Sequence, residues 1–133
     1  MLSFSVTFRG GIPVHDQVVY AVKKAVVSGR LRPGDPFPSV RAMSQHLRIN
    51  PNTAQKVVGT LTALGLLEVR PGIGTFVARV PASSAAQRRA LLSDEVERLV
   101  VEAKKLSLEV EDLTDAVRDH WTRLSGSQAG SRS

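Results

Sequence analysis

Asn50-Pro51-Asn52-Thr53-Ala54-Gln55-Lys56 is the stretch whose reading decides the fold. Asn50 has the side chain of an N-cap, an oxygen placed to accept from the free backbone N–H groups of the next turn. Pro51 follows at the first helical position, where its missing N–H costs nothing. Asn52, Thr53, Gln55 and Lys56 then line the positively polarised end of a helix, an end that attracts phosphate. Asn and Gln side chains can also pair bidentately with adenine in the major groove. Only Ala54 in this heptad suits a hydrophobic core.

The flanking sequence supplies the rest of a helical domain. Asp16 to Ser28 has a broad apolar face of Val18, Val19, Val22, Ala25 and Val26, and Gly29 fits the position that ends such a helix. Residues 31–38 contain three prolines and a Pro-Gly turn signal, so they form an ordered loop and not a helix. Ser39 caps a second, short helix carrying Val40, Met43 and Leu47 at spacings of three and four. Arg48-Ile49 turns the chain into a third helix, Asn52 to about Leu64, whose inner face is Ala54, Val57, Val58 and Leu61, and Gly65 closes it.

Two short strands are expected next, Leu66–Val69 and Thr75–Val80. They are joined through Pro71-Gly72, a pair that favours a type II turn. Three helices followed by a β-hairpin describe a winged helix-turn-helix over residues 11–80. A small-residue linker, 81–86, leads to residues 87–125, where Leu92, Val96, Leu99, Ala103 and Leu106 form one stripe. Leu113, Val117, Trp121 and Leu124 form another. An antiparallel pair of helices leaves one apolar side open, which a second copy of the chain would bury. Residues 126–133 are small and polar and read as a disordered tail. The fold class is therefore mainly α with a small β-hairpin: a winged helix-turn-helix followed by a two-helix dimerisation unit.

Composition agrees with a polyanion partner. The net charge is +6, but residues 1–80 hold ten basic residues against three acidic ones, and residues 81–133 hold eight against nine. The excess therefore lies beside the Asn50 heptad, and attraction to nucleic acid is its expected consequence. The absence of cysteine excludes disulfides and thiolate metal sites. No long apolar run and no signal-peptide pattern appear, so a cytoplasmic protein without membrane contact is expected. His15, His46 and His120 fall on separate helices without metal-ligand spacing, and no metal or cofactor is expected. Paired carboxylates, a nucleophile with its base and a phosphate-cradling loop are all absent from the pattern. Gly72-Ile73-Gly74 lies on a hairpin, not at a helix start, and an enzyme is not expected.

With these elements placed, the chain resembles the GntR family of bacterial transcription regulators. The resemblance rests on Pro13-Val14-His15-Asp16-Gln17, Gly29 to Asp35, Pro38-Ser39-Val40-Arg41, Asn50-Pro51-Asn52-Thr53, Leu61 to Gly65, and Gly72-Ile73-Gly74-Thr75-Phe76-Val77. The short C-terminal part is similar to that of the YtrA-like subfamily, which implies dimerisation through the helical tail. Trp121 continues a stripe there and reads as part of the dimer core.

The resemblance implies a homodimeric repressor on a palindromic operator, and for this subfamily control of an adjacent ABC-transporter operon. It places Arg41 at a DNA contact, where a guanidinium can reach a phosphate or a guanine edge. Asn52, Thr53 and Gln55 are the candidate base readers, Lys56 a phosphate clamp, and Asn50 a cap that can also steer N–H groups to phosphate. Arg70 and Gly72 sit on the wing, where arginine suits a minor groove and glycine permits close approach. A hairpin needing glycine only for its turn reads equally well. Arg9 is a candidate contact from the N-terminal arm. A different class of function, a winged-helix module for protein–protein assembly, predicts weak and sequence-independent DNA binding. Any small-molecule effector would have to bind at a dimer interface or between domains.

Overall fold

A computed structural model describes residues 2–125 and, beyond them, only the backbone course of the last helix. The expectation of a disordered tail over 126–133 concerns residues outside the described ones. One compact unit runs through Val80 and a second comprises Pro81–Arg123.

In the first unit α1 (Val14–Val27), α2 (Val40–Leu47) and α3 (Pro51–Ala63) are followed by the strands β2 (Leu67–Arg70) and β3 (Gly74–Val77). The caps are local chemistry. Ser39 accepts from the Ala42 N–H at 3.1 Å to open α2, and Asn50 accepts from the Asn52 N–H at 2.7 Å to open α3. The hairpin turns through Pro71-Gly72 with Gly72 at φ 76°, and the Ile73 N–H donates to the Arg70 carbonyl at 2.9 Å. A positive φ at the third turn residue is the type II geometry that the Pro-Gly pair favours.

The loop ahead of α2 contributes more than its composition revealed. Within it Pro36–Phe37 form β1, paired antiparallel with β3, so the expected hairpin is a three-stranded sheet in the order β1-β3-β2. The Gly34 N–H donates to the Val77 carbonyl and the Val77 N–H to the Asp35 carbonyl, each at 2.8 Å. Asp35 also accepts from the Arg32 N–H at 2.9 Å, which fixes the turn entering the strand. A two-residue strand starting at proline carries no alternation to detect, hence its absence from the sequence reading.

The core joins Val18, Val22, Met43, Ala54, Val57, Leu61, Leu67 and Val77, all buried. It also takes in three residues that helical periodicity cannot find: Phe4, Leu31 and Phe37. Phe4 stacks on Phe37 with ring centroids 5.7 Å apart and planes 4° from parallel. Residues before 11 are thus part of the core, not a free arm. Gln17 fastens the same segment: its side chain accepts from the Arg9 N–H and donates to the Arg9 and Ile12 carbonyls at 2.8–2.9 Å.

In the second unit Ser84 opens α4 (Ala85–Arg89) with a full capping box to Gln87, inside the stretch read as linker. A π-helical segment, Ala90–Glu95, leads into α5 (Val96–Lys105), and α6 is Val110–Arg132. Wider π turns break the four-three stride just before Val96, which moves Leu92 off the stripe that continues through Val96 and Leu99. Between α5 and α6 the chain turns at Ser107, in the left-handed region at φ 60°. The Leu108 N–H donates to the Ala103 carbonyl and the Ser107 N–H to the Lys104 carbonyl. This is a Schellman closure with serine where glycine is usual. Among the described residues no helix is long and apolar enough to cross a membrane.

Candidate nucleic-acid interface

The third helix divides cleanly between two faces. Ala54, Val57 and Leu61 are fully buried, whereas Asn52, Gln55, Lys56 and Gly59 are exposed and Thr53 is half-buried. The apolar stripe that docks the helix therefore leaves the polar side chains of its first two turns in solvent. At the helix start the Asn52 N–H is satisfied by the Asn50 side chain and the Ala54 N–H by the Asn50 carbonyl. Pro51 has no N–H, so the Thr53 N–H is the first-turn donor without a partner among the described residues. A bare N–H at a helix N-terminus is suited to an anion.

Arg41 lies in the first turn of α2 and is exposed, without an ion pair among the described residues. Arg48 was not singled out from the sequence. It closes α2 in the left-handed conformation, φ 56°, at the turn into α3, and it too is exposed and unpaired. Its signal was available: a basic residue two positions before the Asn50 cap.

On the wing Arg70 is exposed, but it is already engaged. Its Nε donates to Glu68 Oε2 at 3.1 Å, and its guanidinium carbon lies 4.2 Å from the centre of the Phe76 ring. Gly72 is open on the side where a Cβ would project, so its requirement is the positive φ of the turn and packing adds none. The backbone of Arg9 is held by Gln17, and its side chain is exposed. His15 bonds Asp16 and Thr60 and serves α1 and α3. No group of His, Cys, Asp or Glu among the described residues could hold a metal ion.

In the second unit Val96, Leu99, Leu113, Val117 and Trp121 line an open apolar groove of about 700 Å³ between α5 and α6. Val100 and Val110 line it too, which the stripe reading omitted. Leu92 and Leu106 are exposed outside the groove lining, Leu124 is half-buried and Ala103 is buried.

A helix-turn-helix closed by a short sheet, with a capped second helix whose polar face stands clear of the core, is a winged-helix DNA-binding domain. The profile for "Bacterial regulatory proteins, gntR family" matches residues 14–77, and the chain belongs to that family of transcription regulators. It is 31% identical over 111 residues to the HTH-type transcriptional regulator YhcF of Bacillus subtilis, covering 84% of this chain and 92% of that one. It is 25% identical over 119 residues to the HTH-type transcriptional repressor YtrA of the same organism, covering 89% and 92%. In structure it is similar to a transcriptional antiterminator from Listeria monocytogenes, with a TM-score of 0.80 over 91% of each chain at 22% identity. The DNA-binding domain of AraR in complex with operator ORX1 matches 56% of this chain and 95% of its own, with a TM-score of 0.51 and 29% identity.

Proposed function

We propose that this regulator is a homodimeric repressor reading a palindromic operator. Asn52, Thr53 and Gln55 lie on the base edges of the major groove, and Arg41, Arg48, Lys56 and Arg70 on phosphates or groove walls. The observation that carries this is the two-faced third helix, whose outer residues Asn52, Gln55 and Lys56 are exposed and polar, with no side-chain partner among the described residues. Support for repression comes from the name of YtrA, and support for DNA as ligand from the AraR complex with its operator. The groove between α5 and α6 supports pairing of two copies, because its lining of Val96, Leu99, Leu113, Val117 and Trp121 is an apolar face left in water that a second copy would cover. Two recognition helices then meet half-sites about 34 Å apart. Following the YtrA-like resemblance, we take an adjacent ABC-transporter operon as the target.

The test is a mobility-shift competition on the promoter of the chain's own operon at two salt concentrations. Four basic groups per subunit give a dimer a slope of log affinity against log salt near ~−7, about 0.9 for each of eight phosphates. Loss of sequence preference in Asn52→Ala/Gln55→Ala, with residual salt-dependent binding, is the expected result. Weak, sequence-independent binding that these substitutions leave alone would instead favour a winged-helix module for protein assembly.

A further inference from the structure

The outer face of the wing holds one acid beside one base, and its position is informative. Glu68 and Arg70 are two residues apart on β2 and project from the same face, opposite to buried Leu67. Phe76 stands directly across from Glu68 in the β2–β3 register. Arg70 is thus held on two sides, by the carboxylate at Nε and by the aromatic face under its plane. Both contacts are about half exposed, and an ion pair in such a setting adds little to stability. Its geometric effect is larger. With Nε committed to Glu68 and one guanidinium face laid on Phe76, the two Nη groups have no partner among the described residues and form a fork of fixed direction. An arginine so prepared loses less freedom when it binds an anion than one sweeping through its rotamers.

We infer that Glu68 and Phe76 are positioning residues for DNA binding, which hold the Nη fork of Arg70 for a phosphate or the minor-groove edge. This rests on the reading of Arg70 as a DNA contact. It makes a prediction opposite in sign to simple electrostatics. Removing an acid from a DNA-facing surface should strengthen attraction to a polyanion. If Glu68 positions Arg70, its removal weakens specific binding instead.

The experiment compares wild-type, Arg70→Ala, Glu68→Ala, Glu68→Gln and Phe76→Leu proteins on a duplex recovered by selection from random sequence. Binding to an unrelated duplex is measured in parallel, and thermal unfolding controls for folding. Arg70→Ala should lose on the order of tenfold in specific affinity, the scale of one charge-assisted hydrogen bond. Glu68→Ala should lose severalfold on the selected duplex while holding or gaining on the unrelated one. Glu68→Gln, which keeps an acceptor oxygen, should recover part of the loss, and Glu68→Ala should add nothing in an Arg70→Ala background. Tighter binding of Glu68→Ala to both duplexes, with Arg70→Ala still weak, would overturn the positioning role and leave the Arg70 contact standing. No loss in Arg70→Ala would remove the contact itself, and the inference with it.

Discussion

His15 Nε2 lies 2.8 Å from Thr60 Oγ1, so a side chain in the first turn of α1 is bonded to the last turns of the recognition helix. The other ring nitrogen faces Asp16 Oδ1 at 2.9 Å, which fixes the ring's orientation. This bridge ties the end of α3 to the start of α1, in addition to the buried contacts of Ala54, Val57 and Leu61. His15→Ala and Thr60→Ala should each destabilise the protein by about 1 kcal/mol, the net worth of a partly buried hydrogen bond. The double variant should cost clearly less than the two singles added, because one bond cannot be lost twice. Denaturant midpoints for the four proteins of the cycle check this, and strict additivity would refute the bridge.

The sequence made α1, α2 and α3 legible because each carries a strong three-four stripe, to which α2 and α3 add a start signal. Ser39 and Asn50 cap as their chemistry requires. Phe4 and Leu31 stayed hidden because each stands alone in irregular chain, and Phe37 because its strand is two residues long; burial there follows from tertiary contact and leaves no period to read. The residues proposed to face DNA were readable for a related reason. Asn52 and Gln55 are conspicuous on a helix whose inner face is fully accounted for, whereas the Glu68–Arg70–Phe76 cluster depends on a strand register that no local pattern states.

Phe4 gives the second prediction. It is 5% exposed and stacked on Phe37, so Phe4→Ala should cost about 3 kcal/mol, the lower end for a buried phenylalanine. Removing residues 1–10 should cost at least as much, since Leu2 and Val6 pack on the same core. Urea unfolding measures both. An unchanged midpoint for the truncated protein would mean that the domain starts at residue 11 after all.

Arg48 separates stability from binding. A non-glycine residue at φ 56° carries a steric penalty of about 1 kcal/mol. Arg48→Gly should therefore raise stability by somewhat less, as the unfolded chain gains freedom. The same change removes an unpaired cation beside the Asn50 cap, so DNA affinity should fall and the salt slope should shrink by about 0.9 per subunit. A stabilised variant with an unchanged slope would take Arg48 out of the interface.

Ser107 has the same backbone strain without the charge. It occupies the left-handed position of the turn between α5 and α6, with both closing hydrogen bonds in place. Ser107→Gly keeps those bonds and relieves the Cβ crowding, so it should stabilise the second unit by about 0.5–1 kcal/mol. Ser107→Val should destabilise it, since a β-branched residue fits that region worst. Melting temperatures that rank Gly above Ser above Val are the expected outcome.

The groove between α5 and α6 gives the last prediction, one that contrasts two leucines of the same sequence stripe. Leu99 lines the groove with Val96, Leu113, Val117 and Trp121. Leu92 lies in the π-helical segment, where the wider turn carries it away from that face. If a second copy covers the groove, Leu99→Glu buries an unpaired carboxylate at the contact and should convert the dimer to monomer at micromolar concentration. Operator affinity should fall with it, because a monomer meets only one half-site. Leu92→Glu adds the same charge outside the groove and should leave the protein dimeric. Sedimentation velocity reads both variants. Dissociation by both would mean that the contact surface follows the uninterrupted four-three stride; dissociation by neither would place the dimer contact elsewhere on the chain.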